Sequence, residues 1–531
     1  MRGFIFKKIV VKLNGLAFIR KNYLILTVLG VYLLIGLVLL NHYQYLTNSD
    51  GISYISITQK YLIGDWENAI NAYWGPLLSW LMVPFLFFSS SPLENLYLAK
   101  LLNLIIGFFI IIGVKLLSDK FGIKNEVQIA FLFSLIPAML IFSFVNINPD
   151  LLVVCCLVFY LSFFFDEYYS YNLKNGIFCG LFGGLAFLSK SYAFVFFLFH
   201  FIVFNFYFYF GTVSNRKVIL KNFLLGLSIF FIISGAWIGV ISDKYGYLTI
   251  GTSGGYNYEI VGPESQGQAW SYQGLMKPPN NSAVSAWEDP SIYKMNSWSV
   301  FSSGDNFKHQ LNLIWKNSVS ILRIFVNYSI LSLIILIGAI LFVIKTDSKE
   351  SRRKITCLLV TILIFSVFYI FIVVENRYLW LVYILTMITG IYLINHFYNV
   401  DKLKKFGRNI LLAFLLTSFI VTPVMNLAIT FNVGYDEYLL SQSLENVYNV
   451  KGNIASNDEW ELSLYQAYYL NSKYYGTTIN NEDVNSVNDQ LTSNEIDYYL
   501  VWGDNGGYQL SDYEEITNGK ISWLKVYSRN K

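Results

Sequence analysis

Two aspartates stand where an apolar run gives way to a polar turn. Asp50 lies in Asn48-Ser49-Asp50, just after the first such run, and Asp150 lies in Asn148-Pro149-Asp150. A carboxylate at a cavity mouth can serve as a general base toward a hydroxyl or an amine. Aspartate is also a favoured helix cap, and both residues precede helical patterns, so capping is the competing reading for each. Basic residues form a second set. Lys190 falls in Leu188-Ser189-Lys190-Ser191, Arg377 in the short turn Glu375-Asn376-Arg377-Tyr378, and Arg323 a little inside another apolar run. Ionisable groups at such depth are costly and carry function by default. A guanidinium fork suits a phosphate, and an ammonium suits it as a point charge. Snorkelling to an interface is the alternative for these residues. Tyr54 and Trp74 are expected to line the same cavity, although an interfacial aromatic belt uses the same residue types.

The elements that must position these groups are long and apolar. Runs recur at 22–40, 96–118, 127–146, 151–168, 174–191, 193–210, 218–241, 319–344, 355–374, 378–397 and 409–430. Each approaches the roughly 17–25 residues that a helix needs to cross hydrocarbon, which makes about eleven crossings. Only helices satisfy their own backbone groups in such a solvent when the runs are this long. With 55% hydrophobic and only 14% charged residues, the chain is expected to be a polytopic α-helical membrane protein.

Orientation follows from the basic residues. Arg2, Lys7, Lys8, Lys12, Arg20 and Lys21 precede the first run, and every second connector afterwards is basic: Lys120 and Lys124, Lys174, Arg216 to Lys221, Lys349 to Lys354, and Lys402 to Arg408. The positive-inside rule places the N-terminus in the cytoplasm. The first run is read as a retained helix rather than a signal peptide. The outer side then receives 41–95, the turn near 147–150, the loop 242–318, the turn 375–377 and everything from 431. All four cysteines fall in apolar runs, so no disulfide framework is expected.

Two domains follow: 1–430, with outer loops 41–95 and 242–318, and an extracytoplasmic α/β unit over 431–531. Within 41–95, Asn48-Ser49-Asp50 opens a helix with Ile52, Ile55, Gln59 and Leu62 on related faces, read as lying along the membrane. Tyr73 to Phe88 is short and interrupted by Pro76 and Pro84, so it is read as a dipping segment that does not cross. Loop 242–318, rich in Gly, Ser, Asn and Trp, reads as an irregular lid. Beyond 431, strand patterns at Asn453–Ala455, Asp497–Trp502 and Ile521–Tyr527 alternate with a helical stretch near Glu459–Leu470.

In order and spacing, much of 1–400 resembles the GT-C glycosyltransferases, in particular the protein O-mannosyltransferase and lipid A aminoarabinose transferase family. The pieces are SDGISYISITQKYLIGDW, GPLLSWLMVPF, NPDLL, GGLAFLSKSYAFVF and ENRYLWLVY. The resemblance implies transfer of one sugar from a polyprenyl-phosphate carrier on the outer face, with inversion. It maps the catalytic base onto Asp50, the second-loop acid onto Asp150, and the carrier-phosphate contacts onto Lys190 and Arg377; Arg323 is a further phosphate candidate. Gly51 follows Asp50 where the mannosyltransferases read Asp-Glu. Tyr73-Trp74-Gly75-Pro76 stands where the aminoarabinose group reads Glu-Lys-Pro-Pro. Donor and acceptor identity are therefore not carried over.

The four histidines show no metal-ligand spacing, and no phosphate-binding glycine loop, dinucleotide fingerprint or nucleophile elbow stands in a supporting context. No cofactor is expected, and no nucleic-acid partner, because no basic aromatic-interleaved surface is present. The expected partners are a polyprenyl-phosphate sugar and a lipid, glycan or protein acceptor. A transporter or flippase for lipid-linked sugars would want ionisable residues or broken helices at mid-membrane. A non-catalytic assembly subunit would use Asp50 and Asp150 only as caps.

Overall fold

A computed structural model describes residues 2–211, 215–479, 483–503 and 509–530, with side chains from residue 23 onward. Helix α1 (Arg2–Tyr43) leads into α2 (Ser49–Ile63), the single turn α3 (Trp66–Ala69) and α4 (Pro76–Leu86). Helices α5 (Pro92–Lys120), α6 (Asn125–Val145), α7 (Asp150–Phe164), α8 (Leu173–Ser189), α9 (Tyr192–Phe210) and α10 (Arg216–Tyr245) follow. An irregular segment holding the short α11 (Ser253–Glu259) separates them from α12 (Gly304–Tyr328), α13 (Ser332–Lys345), α14 (Lys349–Val367), α15 (Trp380–Asn399) and α16 (Lys405–Ile429). Among the described residues, eight helices are long and apolar enough to cross a membrane, or nine if α12 and α13 are one span. The chain is a polytopic α-helical membrane protein.

Each apolar run forms a helix, with three differences from the even row of crossings expected. α7 and α8 have only 15 and 17 residues. α7 stops where the sequence turns polar at Asp166-Glu167, and Asn172 caps α8 by accepting the Lys174 N–H at 3.0 Å. The run 319–344 is two helices bent by 106° rather than one continuous helix. Ser329 is extended at the break. α12 starts at Gly304, inside the expected lid, because its polar side is used: Gln310 and Asn317 donate to the carbonyls of Ile370, Phe371 and Ile372 at 3.0–3.2 Å. α4 has 11 residues, about 16 Å at 1.5 Å per residue, against a hydrocarbon core of about 30 Å. It is too short to cross.

The connectors sort to two ends. Lys120, Asp166, Arg353 and Lys354 line one cavity where α5 and α7 end and α14 begins. Asp50, Asp150, Lys190 and Arg377 meet at the opposite end, where α7 begins.

The C-terminal part opens with α17 (Tyr435–Asn446) and folds as β1 (Asn453–Ser456), α18 (Trp460–Tyr469), β2 (Lys473–Thr477), α19 (Val484–Ser493), β3 (Tyr498–Trp502), β4 (Tyr513–Glu515) and β5 (Leu524–Arg529). The sheet order is β2-β1-β3-β5-β4, parallel over the first three strands and antiparallel after. The period-two alternation of a strand gives it two packed faces. Ile454, Leu500 and Val526 join the core shared with the membrane helices, while Ala455, Tyr499 and Tyr527 pack with Val487 and Leu491 of α19. The edge strand β2 is covered by the irregular loop. Tyr474 N–H donates to Val284 O at 2.7 Å, and Met276 N–H donates to Tyr475 O at 2.6 Å. That pairing closes an edge that would otherwise be open, and it ties loop 242–303 to the C-terminal sheet.

α2 is buried on nearly all sides rather than half exposed. The loop covers one face, and α18 lies close, with Tyr468 Oη donating to Pro92 O at 2.9 Å and Tyr469 Oη to Tyr45 O at 3.2 Å.

Candidate active site

Asp50 is the second residue of α2, and Asn48 is its N-cap. Asn48 makes no capping bond; its Oδ1 accepts the N–H of Ile147 at 2.9 Å instead. This pins the α6–α7 turn against the start of α2. The same turn is held from α5, where Asn103 donates to Ser143 O and Asn146 O at 3.2 and 3.0 Å and the buried Lys100 donates to Phe144 O. Asn148 Oδ1 then accepts the Asp150 N–H at 3.2 Å and starts α7. Two aspartates 100 positions apart are brought to one cavity by these side chain–backbone bonds.

Gly51 explains why Asp50 lacks an acidic successor. A Cβ there would lie 2.8 Å from Ile147 Cβ and 2.9 Å from Asn48 Oδ1, so the close approach of the α6–α7 turn excludes a side chain. Gly75 plays a similar part opposite: a Cβ would sit 2.2 Å from the carbonyl oxygen of Ser189. The end of α8 therefore rests on the backbone of residue 75, and Lys190, its C-cap, is delivered beside Asp150.

The carboxylates do not cap their helices. Asp50 Oδ2 accepts from Arg377 Nη1 at 2.6 Å, and Oδ1 accepts from the indole Nε1 of Trp287 at 3.2 Å. Asp150 Oδ1 accepts from Lys190 Nζ at 2.6 Å, while Oδ2 is 3.8 Å from Arg377 Nε. Arg377 Nε also donates to Glu375 Oε2 at 2.7 Å, and Tyr378 Oη donates to Glu375 Oε1 at 2.9 Å. Lys190 Nζ stands 3.7 Å over the Tyr378 ring, the end of a stacked column with Tyr369 and Tyr192. Arg377 is thus shared among three carboxylates. It and Lys190 are only 19% and 22% exposed at the side chain, and Asp150 5%. A charge at this burial loses water and is costly unless an opposite charge compensates it.

Tyr54 and Trp74 line the same cavity, their rings edge to face at 5.3 Å. Trp74, Tyr73 and Tyr256 also surround Trp287 with ring centroids 5.7–6.1 Å away. Arg323 stands apart. It is exposed on α12, does not line the cavity, and makes no ion pair among the described residues. It lies on the exposed face of α12, whereas Asn317 and Tyr328 of the same helix reach the carbonyls of Ile370, Ile372 and Asn376.

Several lining residues had no sequence signal strong enough to single them out. Glu375 and Tyr378 flank Arg377 in its turn and could have been included with it. Trp287 lies in a loop without periodicity, so only the fold brings it to Asp50. Glu461 of α18 faces the same carboxylate: partial burial and then the charge of Asp50 raise its carboxyl above the ordinary glutamate range, against an opposing hydrogen bond from Tyr465.

A second cavity adjoins the first. Lys190, Ser253, Asn257 and Tyr378 line both, and its far wall is apolar, with Val195, Ile250, Phe368 and Phe371.

No family model and no curated protein matches the sequence. Among solved structures, ArnT from Cupriavidus metallidurans bound to undecaprenyl phosphate is similar over 96% of this chain and 98% of its own, with a TM-score of 0.55 and 12% identity. The apo oligosaccharyltransferase from Archaeoglobus fulgidus is similar over 91% of this chain and 70% of its own, with a TM-score of 0.53 and 12% identity. AglB from the same organism, in complex with an inhibitory peptide and a dolichol-phosphate, has a TM-score of 0.52 and 12% identity over the same shares. At these identities the likeness is one of fold. The fold is the one shared with ArnT and the archaeal oligosaccharyltransferase.

Proposed function

We propose that this chain is a membrane glycosyltransferase that moves a single sugar from a polyprenyl-phosphate carrier to a lipid, glycan or protein acceptor at the outer face, with inversion. The observation that carries this reading is the pairing of cavities: carboxylates and cations share one, and Lys190 and Tyr378 form the border to an apolar one. A polyprenyl phosphate has the matching halves, an anionic group for Lys190 and Arg377 and a hydrocarbon tail for the wall of Val195, Phe368 and Phe371. ArnT and AglB, with the same fold, were solved with undecaprenyl phosphate and dolichol-phosphate, which supports the same carrier class here. In this reading, 1–430 carries the chemistry, and 431–531 lies outside the membrane with the N-terminus inside.

The ion pairs suggest how the step is ordered. With Arg377 on Asp50, one carboxylate oxygen is occupied by the guanidinium. A phosphate entering beside Lys190 draws the guanidinium to itself and leaves Asp50 free to accept a proton. The acceptor oxygen or nitrogen then attacks the anomeric carbon, the bond from that carbon to the phosphate oxygen breaks, and the acceptor proton passes to Asp50. Charge that develops on the departing lipid phosphate is met by Lys190 and Arg377.

The test is transfer of a labelled sugar out of polyprenyl phosphate in reconstituted membranes, with Asp50→Asn as the comparison. Asparagine keeps the shape and cannot take the proton. A loss of about 10²–10⁴-fold with carrier binding retained is expected of a general base. A variant near the parental rate removes Asp50 from the chemistry. Movement of intact carrier across the membrane with no change in the sugar–phosphate bond indicates a flippase instead.

A further inference from the structure

We infer that Glu288 and Lys60, outside the cavity, form a clamp that sets the reactive state of Asp50 by docking the outer loop; this rests on the reading of Asp50 as the base. Asp50 and Lys60 are both on α2. Trp287 and Glu288 are neighbours in the loop, and each engages one of them: the Trp287 indole binds Asp50, and the Glu288 carboxylate pairs with Lys60. The pair is sealed, with side chains 1% and 3% exposed. Ser56 donates to the same carboxylate, and Ser53 Oγ donates to the Trp287 carbonyl at 3.4 Å. Residues 50, 53, 56 and 60 recur at the spacing of one helix face. Asn71 Nδ2 and Trp74 Nε1 donate to the Glu288 carbonyl at 2.7 and 3.0 Å.

A buried ion pair adds little stability over an apolar pair of the same size, yet removing one partner leaves an uncompensated charge. Its value here is register. Two charges that must meet in a dry site fix one position of an otherwise irregular loop, so Trp287 reaches Asp50 and not a neighbour. Glu288 is therefore a positioning residue that acts through Trp287, and release of the clamp opens Asp50 to solvent while Arg377 stays in place.

Accessibility of Asp50 can be read without any substrate. A water-soluble carbodiimide with an amine nucleophile labels accessible carboxylates, and mass spectrometry gives the rate at each one. In the full-length chain in detergent, Glu288→Gln is expected to label Asp50 at least fivefold faster, with faster hydrogen exchange over 280–292 and faster trypsin cleavage at the exposed Lys294. Labelling of Glu375 stays at the parental rate. Trp287→Phe gives the Asp50 increase without the exchange increase, and the double variant labels Asp50 no faster than the faster single one. Should Glu288→Gln fail to fold, Lys60→Met with Glu288→Met removes both charges together and gives the same readings. Parental labelling of Asp50 in these variants, or effects of Glu288 and Trp287 that multiply, overturns the clamp. Transfer assays on Asp50→Asn decide the base separately, so either idea can fail alone.

Discussion

Arg377 and Asp50 are 327 positions apart in the chain, and their side chains meet at 2.6 Å at the end of the bundle. In the proposed reading, the guanidinium that holds the carrier phosphate is the same group that pairs with the candidate base. Carrier binding and release of Asp50 then compete for one cation.

That competition sets the expected behaviour of Arg377→Ala. Loss of a charge-assisted contact of about 1.5–3 kcal/mol should raise the carrier concentration for half-maximal transfer by roughly tenfold or more. Asp50 is freed at the same time, so the fall in maximal rate should be smaller than the loss of affinity. In the same reading Lys190→Ala removes a phosphate contact and leaves Asp150 facing only the more distant Arg377, so it too should weaken carrier binding. Carrier titrations of both variants check this; unchanged titrations would return both residues to a structural role.

How much of this was legible in the chain depends on the range of each contact. Asp50, Asp150, Lys190 and Arg377 stood out because charge beside a long apolar run is locally unusual. The helices were legible for the same reason, since hydrophobic length needs no knowledge of neighbours. Arg323 satisfied the same local criterion and lies elsewhere, because it sits on the exposed face of α12 while Gln310 and Asn317 turn toward residues near 370. Trp287 and Glu288 gave no signal, because their partners on α2 are more than 220 positions away. Strands β2 and β4 were missed for a related reason. β4 has three residues, and β2 is stabilised by loop residues 276 and 284 as well as by its own sheet.

Orientation is open to a direct check. In a chain with its native cysteines replaced, cysteine at Ser90, Asn281 or Ser511 should react with an impermeant reagent added outside intact cells. Each position is exposed. Reaction at Ser90 only after permeabilisation would mean that Tyr73 to Phe88 crosses, and every later span would reverse.

Gly75→Ala tests how Lys190 is placed. The added Cβ would fall 2.2 Å from a backbone oxygen of α8, which cannot yield as a side-chain tip can. Overpacking of this kind costs about 1–3 kcal/mol. The end of α8 must shift, and Lys190 with it, so thermal stability should drop and carrier affinity should fall together. An alanine variant with parental melting and parental carrier dependence would show that this contact does not position Lys190.

Glu461 links the C-terminal unit to the base through charge. Its carboxyl is raised by burial first and by Asp50 second. A raised acid contributes stability that is fully present below the unfolded glutamate value of about 4.3 and is lost as pH rises through the folded value. Unfolding temperature in detergent should therefore carry a component that falls as pH increases above that point. Glu461→Gln should flatten it, because the amide is neutral throughout. Asp50→Asn should flatten it in part, since one of the two raising influences is gone while burial remains. The partial effect is the informative one. A pH profile unaltered by Asp50→Asn, alongside one flattened by Glu461→Gln, would mean that α18 senses burial alone and that the C-terminal unit is electrostatically separate from the site.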